Sequence, residues 1–89
     1  MIQKRFQFRG TVQGVGFRYT ACRVANGYNI AGYVKNLPDG SVECVVEGRP
    51  EEIEGFLDQL QQSMSGHIRQ TTEQEAPASG RWDSFGVSY

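Results

Sequence analysis

Histidine, cysteine and long apolar runs are all scarce in these 89 residues. The single histidine, His67, and the two cysteines, Cys22 and Cys44, show no zinc-ligand spacing. Two cysteines are also too few for a disulfide framework. The residues therefore offer no metal ligand set, and no cofactor is expected. No segment approaches the roughly 18 apolar residues of a membrane span, and Lys4 and Arg5 are followed by alternating polar residues instead of an apolar signal region. A soluble, cytoplasmic protein is expected. Nine Lys+Arg against ten Asp+Glu leave a net charge of −1, too little to hold nucleic acid or an anionic membrane through a broad positive field. A small anion can still be held locally. The length fits one domain, residues 1–89, without linker, repeat or low-complexity tract, and a monomer is expected.

What is present is periodicity. Ile2, Phe6, Phe8 and Val12 fall on even positions with Gln3, Arg5, Gln7 and Arg9 between them, so the spacing predicts a half-buried strand. From Phe17 the period lengthens: Phe17, Ala21, Val24, Ala25 and Tyr28 form one helical stripe, which Gly27 weakens and Asn29 is expected to stop in a left-handed conformation. Two strands, Ile30 to Leu37 and Ser41 to Gly48, are expected to form a hairpin across Pro38, Asp39 and Gly40. Pro50, Glu51 and Glu52 suit a helix start, and Ile53, Phe56, Leu57, Leu60 and Met64 supply its apolar stripe, with Gly55 a local weakness.

From His67 to Arg81 the chain is hard to read, with Ile68 its only large apolar residue and Ala76 to Gly80 resembling a loop. Phe85, Val87 and Tyr89 alternate again, so a closing strand is expected. The order βαββαβ is the split βαβ arrangement of the ferredoxin-like α+β folds. It implies an antiparallel sheet of order 4-1-3-2 with two helices on one face.

Two places carry candidate chemistry. Gln13, Gly14, Val15, Gly16, Phe17 and Arg18 join the first strand to the first helix. Glycines let successive amides turn into one concavity, and the helix end adds about half a positive charge. Arg18 is badly placed against that dipole unless an anion sits between them. From spacing alone, an anion cradle and a plain glycine-rich turn with an exposed arginine both remain open. The loop lacks a P-loop's G-K-S/T ending, and Tyr19 stands where a dinucleotide fingerprint needs its third glycine. Asn36 is the second place. Strand parity sets it on the helix-covered face with Ile30 and Val34, where it needs polar partners, although an asparagine that caps the Pro38–Gly40 turn is equally a reading of this position. Cys22 and Cys44 read as packing residues, and His67 as a solvated loop residue.

Gly10-Thr-Val-Gln-Gly-Val-Gly-Phe-Arg18, then Gly32-Tyr-Val-Lys-Asn36 and Pro38-Asp-Gly-Ser-Val-Glu43, resemble the signatures of the acylphosphatase family. The resemblance runs through nearly the whole chain and fades only between about Gly66 and Trp82. It implies metal-independent hydrolysis of acyl phosphates to a carboxylate and inorganic phosphate by in-line attack of water. Arg18 and the loop amides of Val15, Gly16 and Phe17 would hold the phosphate, and Asn36 would orient the water. Tyr33 replaces the family's commonest tryptophan, and Asn29 a typical glycine. An acylphosphatase-like domain of a larger carbamoyl-transfer enzyme is a rival reading, opposed by the start at Met1 and the lack of a linker. An RNA-binding module is opposed by the third strand, Ser41 to Glu47, which carries two acids and no aromatic residue. A non-catalytic anion-binding module is a further alternative.

Overall fold

The computed structural model describes all 89 residues. Its elements are β1 (Ile2–Gly10), α1 (Phe17–Ala25), β2 (Ile30–Asn36), β3 (Val42–Gly48), α2 (Pro50–Ser63), β4 (Ile68–Pro77) and β5 (Phe85–Val87). The sheet order is β4-β1-β3-β2-β5, so the expected 4-1-3-2 arrangement is present and extended by one strand. The first four strands pair antiparallel; β5 lies parallel to β2, with Val34 opposite Val87.

One core joins the helices to the sheet. Phe6, Phe8, Val34, Val42, Cys44 and Val46 of the strands meet Phe17, Ala21 and Val24 of α1 and Ile53, Phe56 and Leu60 of α2. The alternation of β1 and the two helical stripes are thus the buried faces. Phe85 of β5 packs against Phe56, 5.5 Å between ring centroids, which fastens the short last strand to α2. Gly55, which weakens the helix by propensity, has a packing reason: a Cβ there would lie 2.5 Å from the ring of Tyr28. Tyr28 crosses from the end of α1 and donates to Gln59 Oε1 at 3.0 Å. The glycine lets the two helices meet through that ring.

Three expectations need adjustment. The helical stripe from Phe17 does not continue to Tyr28 as α-helix; α1 ends at Ala25, and tighter bonds from Gly27 to Val24 and from Tyr28 to Ala25 close it. Asn29 is not left-handed, since no residue other than glycine has positive φ. Its amide instead donates to Glu52 Oε1 at 2.7 Å, so side-chain capture at α2 replaces a left-handed cap. The segment after Gly66 is also more regular than its composition suggests: ten residues form β4, antiparallel along β1, with Ile2 opposite Pro77. Most of its side chains are exposed on both faces, so backbone pairing with β1 holds it and no apolar alternation marks it.

The face away from the helices carries its own fastenings. The Tyr33 hydroxyl donates to Glu43 Oε1 at 2.6 Å, and burial together with that carboxylate pushes the phenol up to about 12. Glu47 is 6% exposed and accepts hydrogen bonds from the Ser79 and Gly80 amides, the Ser79 hydroxyl and the Gln3 side chain. Burial opposes its ionisation, but these donors outweigh burial and hold the carboxyl down at about 2. The loop between β4 and β5 is thereby pinned to β3.

Candidate active site

Beyond β1 the chain turns through Gly14 and Gly16, both left-handed with φ of 78° and 77°. That conformation costs an L-residue on the order of 1–2 kcal/mol, which accounts for glycine at both positions. Gly16 is the N-cap of α1, and its carbonyl accepts the first helical bond, from the Thr20 amide at 2.9 Å. The amides of Phe17, Arg18 and Tyr19 have no carbonyl one turn back. None of the 14 backbone hydrogen bonds outside helices and strands is donated by an amide of residues 13–19. The loop thus presents a row of N–H groups without a backbone acceptor at the positive end of a helix.

Gln13 anchors this row. Its side-chain amide donates to the carbonyls of Leu37, at 2.8 Å, and Ser41, at 2.9 Å, which joins the loop to the turn between β2 and β3. That turn is closed by Asp39, whose carboxylate accepts from the Ser41 amide at 3.0 Å and from the Ser41 hydroxyl. The side-chain bonds from Ser41, with Arg9 at 3.2 Å, hold the Asp39 carboxyl below its usual range. Asp39 performs the capping that sequence alone allowed for Asn36. Asn36 instead ends β2 in the row Phe8–Val42–Asn36, on the helix side of the sheet.

Arg18 and Asn36 line one open cavity of about 400 Å³, together with Gly14, Gly16 and Phe17. Val15 does not line it; its side chain is exposed, and only its backbone belongs to the loop. Arg18 is in none of the ion pairs, and no acidic residue occupies the first turn of α1. Its guanidinium carbon lies 5.5 Å from the ring centroid of Tyr89. Sequence reasoning missed that contact, along with Cys22 and Val87 in the cavity wall and the tie made by Gln13. The spacing of Cys22 four residues after Arg18, and the parity of Val87 with Tyr89, were the available signals. Burial pushes the Cys22 thiol up, which makes it a neutral part of the wall. His67 stands apart, its Nδ1 3.4 Å from Thr11 Oγ1. No Asp, Glu or His side chain lines the cavity.

The fold is a ferredoxin-like α+β fold, and its cavity brings Arg18 and Asn36 together with the glycine loop at the N-terminus of α1. The acylphosphatase family profile matches residues 4–87. An acylphosphatase of Actinobacillus succinogenes is 45% identical over 88 residues, covering 98% of each chain. The crystal structure of an acylphosphatase from Bacillus subtilis superposes with a TM-score of 0.92 at 32% identity over the whole of both chains. The same fold also occurs inside a longer chain, T. kodakarensis HypF, where all of this chain matches 12% of that one with a TM-score of 0.85 and 37% identity. The chain belongs to the acylphosphatase family, and with it to the hydrolases that act on acid anhydrides.

Proposed function

We propose that this protein hydrolyses acyl phosphates to a carboxylate and inorganic phosphate, by in-line attack of water and without a metal ion. The observation that carries this reading is the meeting of Arg18 and Asn36, from α1 and β2, in one cavity beside amides that lack a backbone acceptor. Substrate phosphate sits over residues 13–18. The amides of Val15, Gly16, Phe17 and Arg18 and the Arg18 guanidinium donate to its oxygens, and the helix end adds its partial positive charge. The Asn36 carboxamide holds the attacking water in line with the bond that breaks.

The water oxygen bonds to phosphorus as the bond from phosphorus to the acyl oxygen breaks, and both electrons of that bond leave on the carboxylate. With a conjugate-acid pKa of roughly 4 this leaving group needs no general acid. The water's proton passes to a phosphate oxygen; the lack of an Asp, Glu or His side chain in the wall supports the substrate as that base. Catalysis is then positioning and charge stabilisation, which amides and one guanidinium supply. This donor set suits an anion and lacks the carboxylate oxygens that hard divalent cations prefer, which supports metal independence. The reading takes the protein as a monomer acting on a small-molecule acyl phosphate in the cytoplasm, with no nucleic-acid or membrane partner.

The test is hydrolysis of benzoyl phosphate in EDTA by wild type and Arg18→Ala. Turnover that survives EDTA and falls about 10³-fold or more in the variant is expected. A folded wild type without turnover, or a variant within threefold of wild type, overturns the reading.

A further inference from the structure

The sheet face away from the helices holds a second cleft, of about 360 Å³, which shares no residue with the cavity of Arg18 and Asn36. Arg5 of β1, Lys35 of β2 and Arg81 of the loop before β5 line it, together with Tyr33, Trp82 and Ser88. Three cations from three parts of the chain thus meet in a molecule whose net charge is −1. One acid is near, since Glu43 stands opposite Lys35 in the β2–β3 ladder. Glu43 is engaged elsewhere: it accepts from the Tyr33 hydroxyl at 2.6 Å and pairs with Arg5 at 3.8 Å. Lys35 and Arg81 are in none of the ion pairs. Three cations against one acid leave two positive charges over in the cleft.

The cleft is held in shape by the fold itself. Glu47 fixes the Ser79 and Gly80 amides at 2.7 and 3.0 Å, and the Arg81 amide donates to the Ser79 hydroxyl at 3.3 Å. The Trp82 ring lies 5.6 Å from that of Tyr33, and the Arg81 guanidinium carbon 5.3 Å from the centroid of Trp82. Arg81 is therefore steadied by an aromatic ring instead of a carboxylate, which positions its charge without neutralising it. Like charges gathered in this way repel one another, and a bound anion relieves that repulsion.

We propose that this cleft binds a short polyphosphate chain of two or three phosphates, free or carried by a nucleotide. The guanidinium groups of Arg5 and Arg81 take phosphate oxygens in pairs, and the Lys35 ammonium adds a point charge. A single phosphate leaves part of this donor set unused. A long polyanion needs a broad positive field, which a net charge of −1 does not supply. A short chain of phosphates suits both the surplus charge and the volume of the cleft.

Trp82 is the single tryptophan of the chain, so its fluorescence reads this cleft. Tripolyphosphate titrated into the full chain, in EDTA at low salt, is expected to give a saturable change with a Kd below about 1 mM. Lys35→Ala and Arg81→Gln should each raise that Kd about tenfold, the worth of one charge-assisted contact. Lys35→Arg, which keeps the charge, should stay within about threefold of wild type. Arg18→Ala should leave signal and Kd unchanged, because that arginine lines the other cavity. Arg23→Ala removes a cation from the last turn of α1 and controls for net charge; it should stay within about twofold. Neither Lys35 nor Arg81 holds an ion pair whose loss would unfold the chain, and melting curves verify this. A titration without a saturable change refutes the site. A response that Arg18→Ala abolishes also refutes it, by putting the phosphates at the glycine loop, and so does one that Arg23→Ala weakens as much as Lys35→Ala, by reducing it to diffuse attraction. ADP and ATP, set against pyrophosphate and tripolyphosphate, distinguish the sources with the site upheld: tighter nucleotide binding assigns a nucleotide, and equal or weaker binding assigns the free phosphate chain.

Discussion

Two groups of N–H donors contrast in this protein: one meets a carboxylate of the chain itself, and the other meets no backbone acceptor. On the outer sheet face the Glu47 carboxylate occupies a ring of donors from Ser79, Gly80 and Gln3. At the opposite end of the chain's logic, the amides around Gly14 and Gly16 face no backbone acceptor, and Arg18 beside them has no ion-pair partner. On the proposed reading the two are physically alike, N–H groups placed where negative charge is welcome. They differ in who supplies the charge. An internal carboxylate turns such a nest into a fastening for a loop, whereas a nest left open to solvent can take charge from substrate and release it again.

That contrast can be broken most severely at Arg18. Arg18→Ala is expected to reduce kcat about 10³-fold or more with little change in melting temperature, because the side chain has no ion-pair partner inside the fold. Arg18→Lys should restore little, since an ammonium cannot make the planar two-pronged contact. Asn36→Ala should cost on the order of 10²-fold in kcat, as for the loss of one transition-state donor, and steady-state kinetics at saturating substrate measures it. A loss confined to KM would remove Asn36 from the water.

At the filled nest the sign reverses. Glu47→Gln should leave kcat intact and destabilise the fold by about 2 kcal/mol, read as a lower urea midpoint. The acid dependence follows from the low carboxyl. The folded value, about 2, lies below the ordinary 4.5, so the unfolded chain takes up the proton first as pH falls. Stability from Glu47 is complete above pH 4.5 and is lost progressively towards pH 2; Glu47→Gln should lack that component of the acid unfolding curve. The smallest effect is expected at Gln13, which joins the open nest to the β2–β3 turn. Gln13→Ala removes two neutral hydrogen bonds and should cost about 1–2 kcal/mol, shared between stability and a raised KM.

How far the molecule was legible in its sequence depended on whether side chains or backbone carried the order. The alternation of Phe6 and Phe8 and the stripes from Phe17 and Ile53 were readable because burial writes itself into apolar spacing. The loop was readable because two glycines and a helix-start arginine make a local conflict that an anion relieves. β4 was obscure because its partner is backbone: Thr71, Glu73 and Glu75 lie along an edge, where Lys4 pairs with both glutamates. Asn29 was misassigned because a tertiary acceptor, Glu52, outweighed its local preference. Tyr89 looked like the end of a strand, and nothing in its spacing indicated that its ring would meet Arg18.

β1 stands between β3 and β4, so the first strand of the fold receives its second neighbour only from residues 68–77. At roughly 5–20 residues per second, seconds separate the emergence of the two from a ribosome. Through that interval one edge of β1 carries unpaired amides and carbonyls, and the loop that follows it has a mount on one side only. The order of the sheet therefore makes completion of the domain, and of the loop that β1 carries, wait for β4.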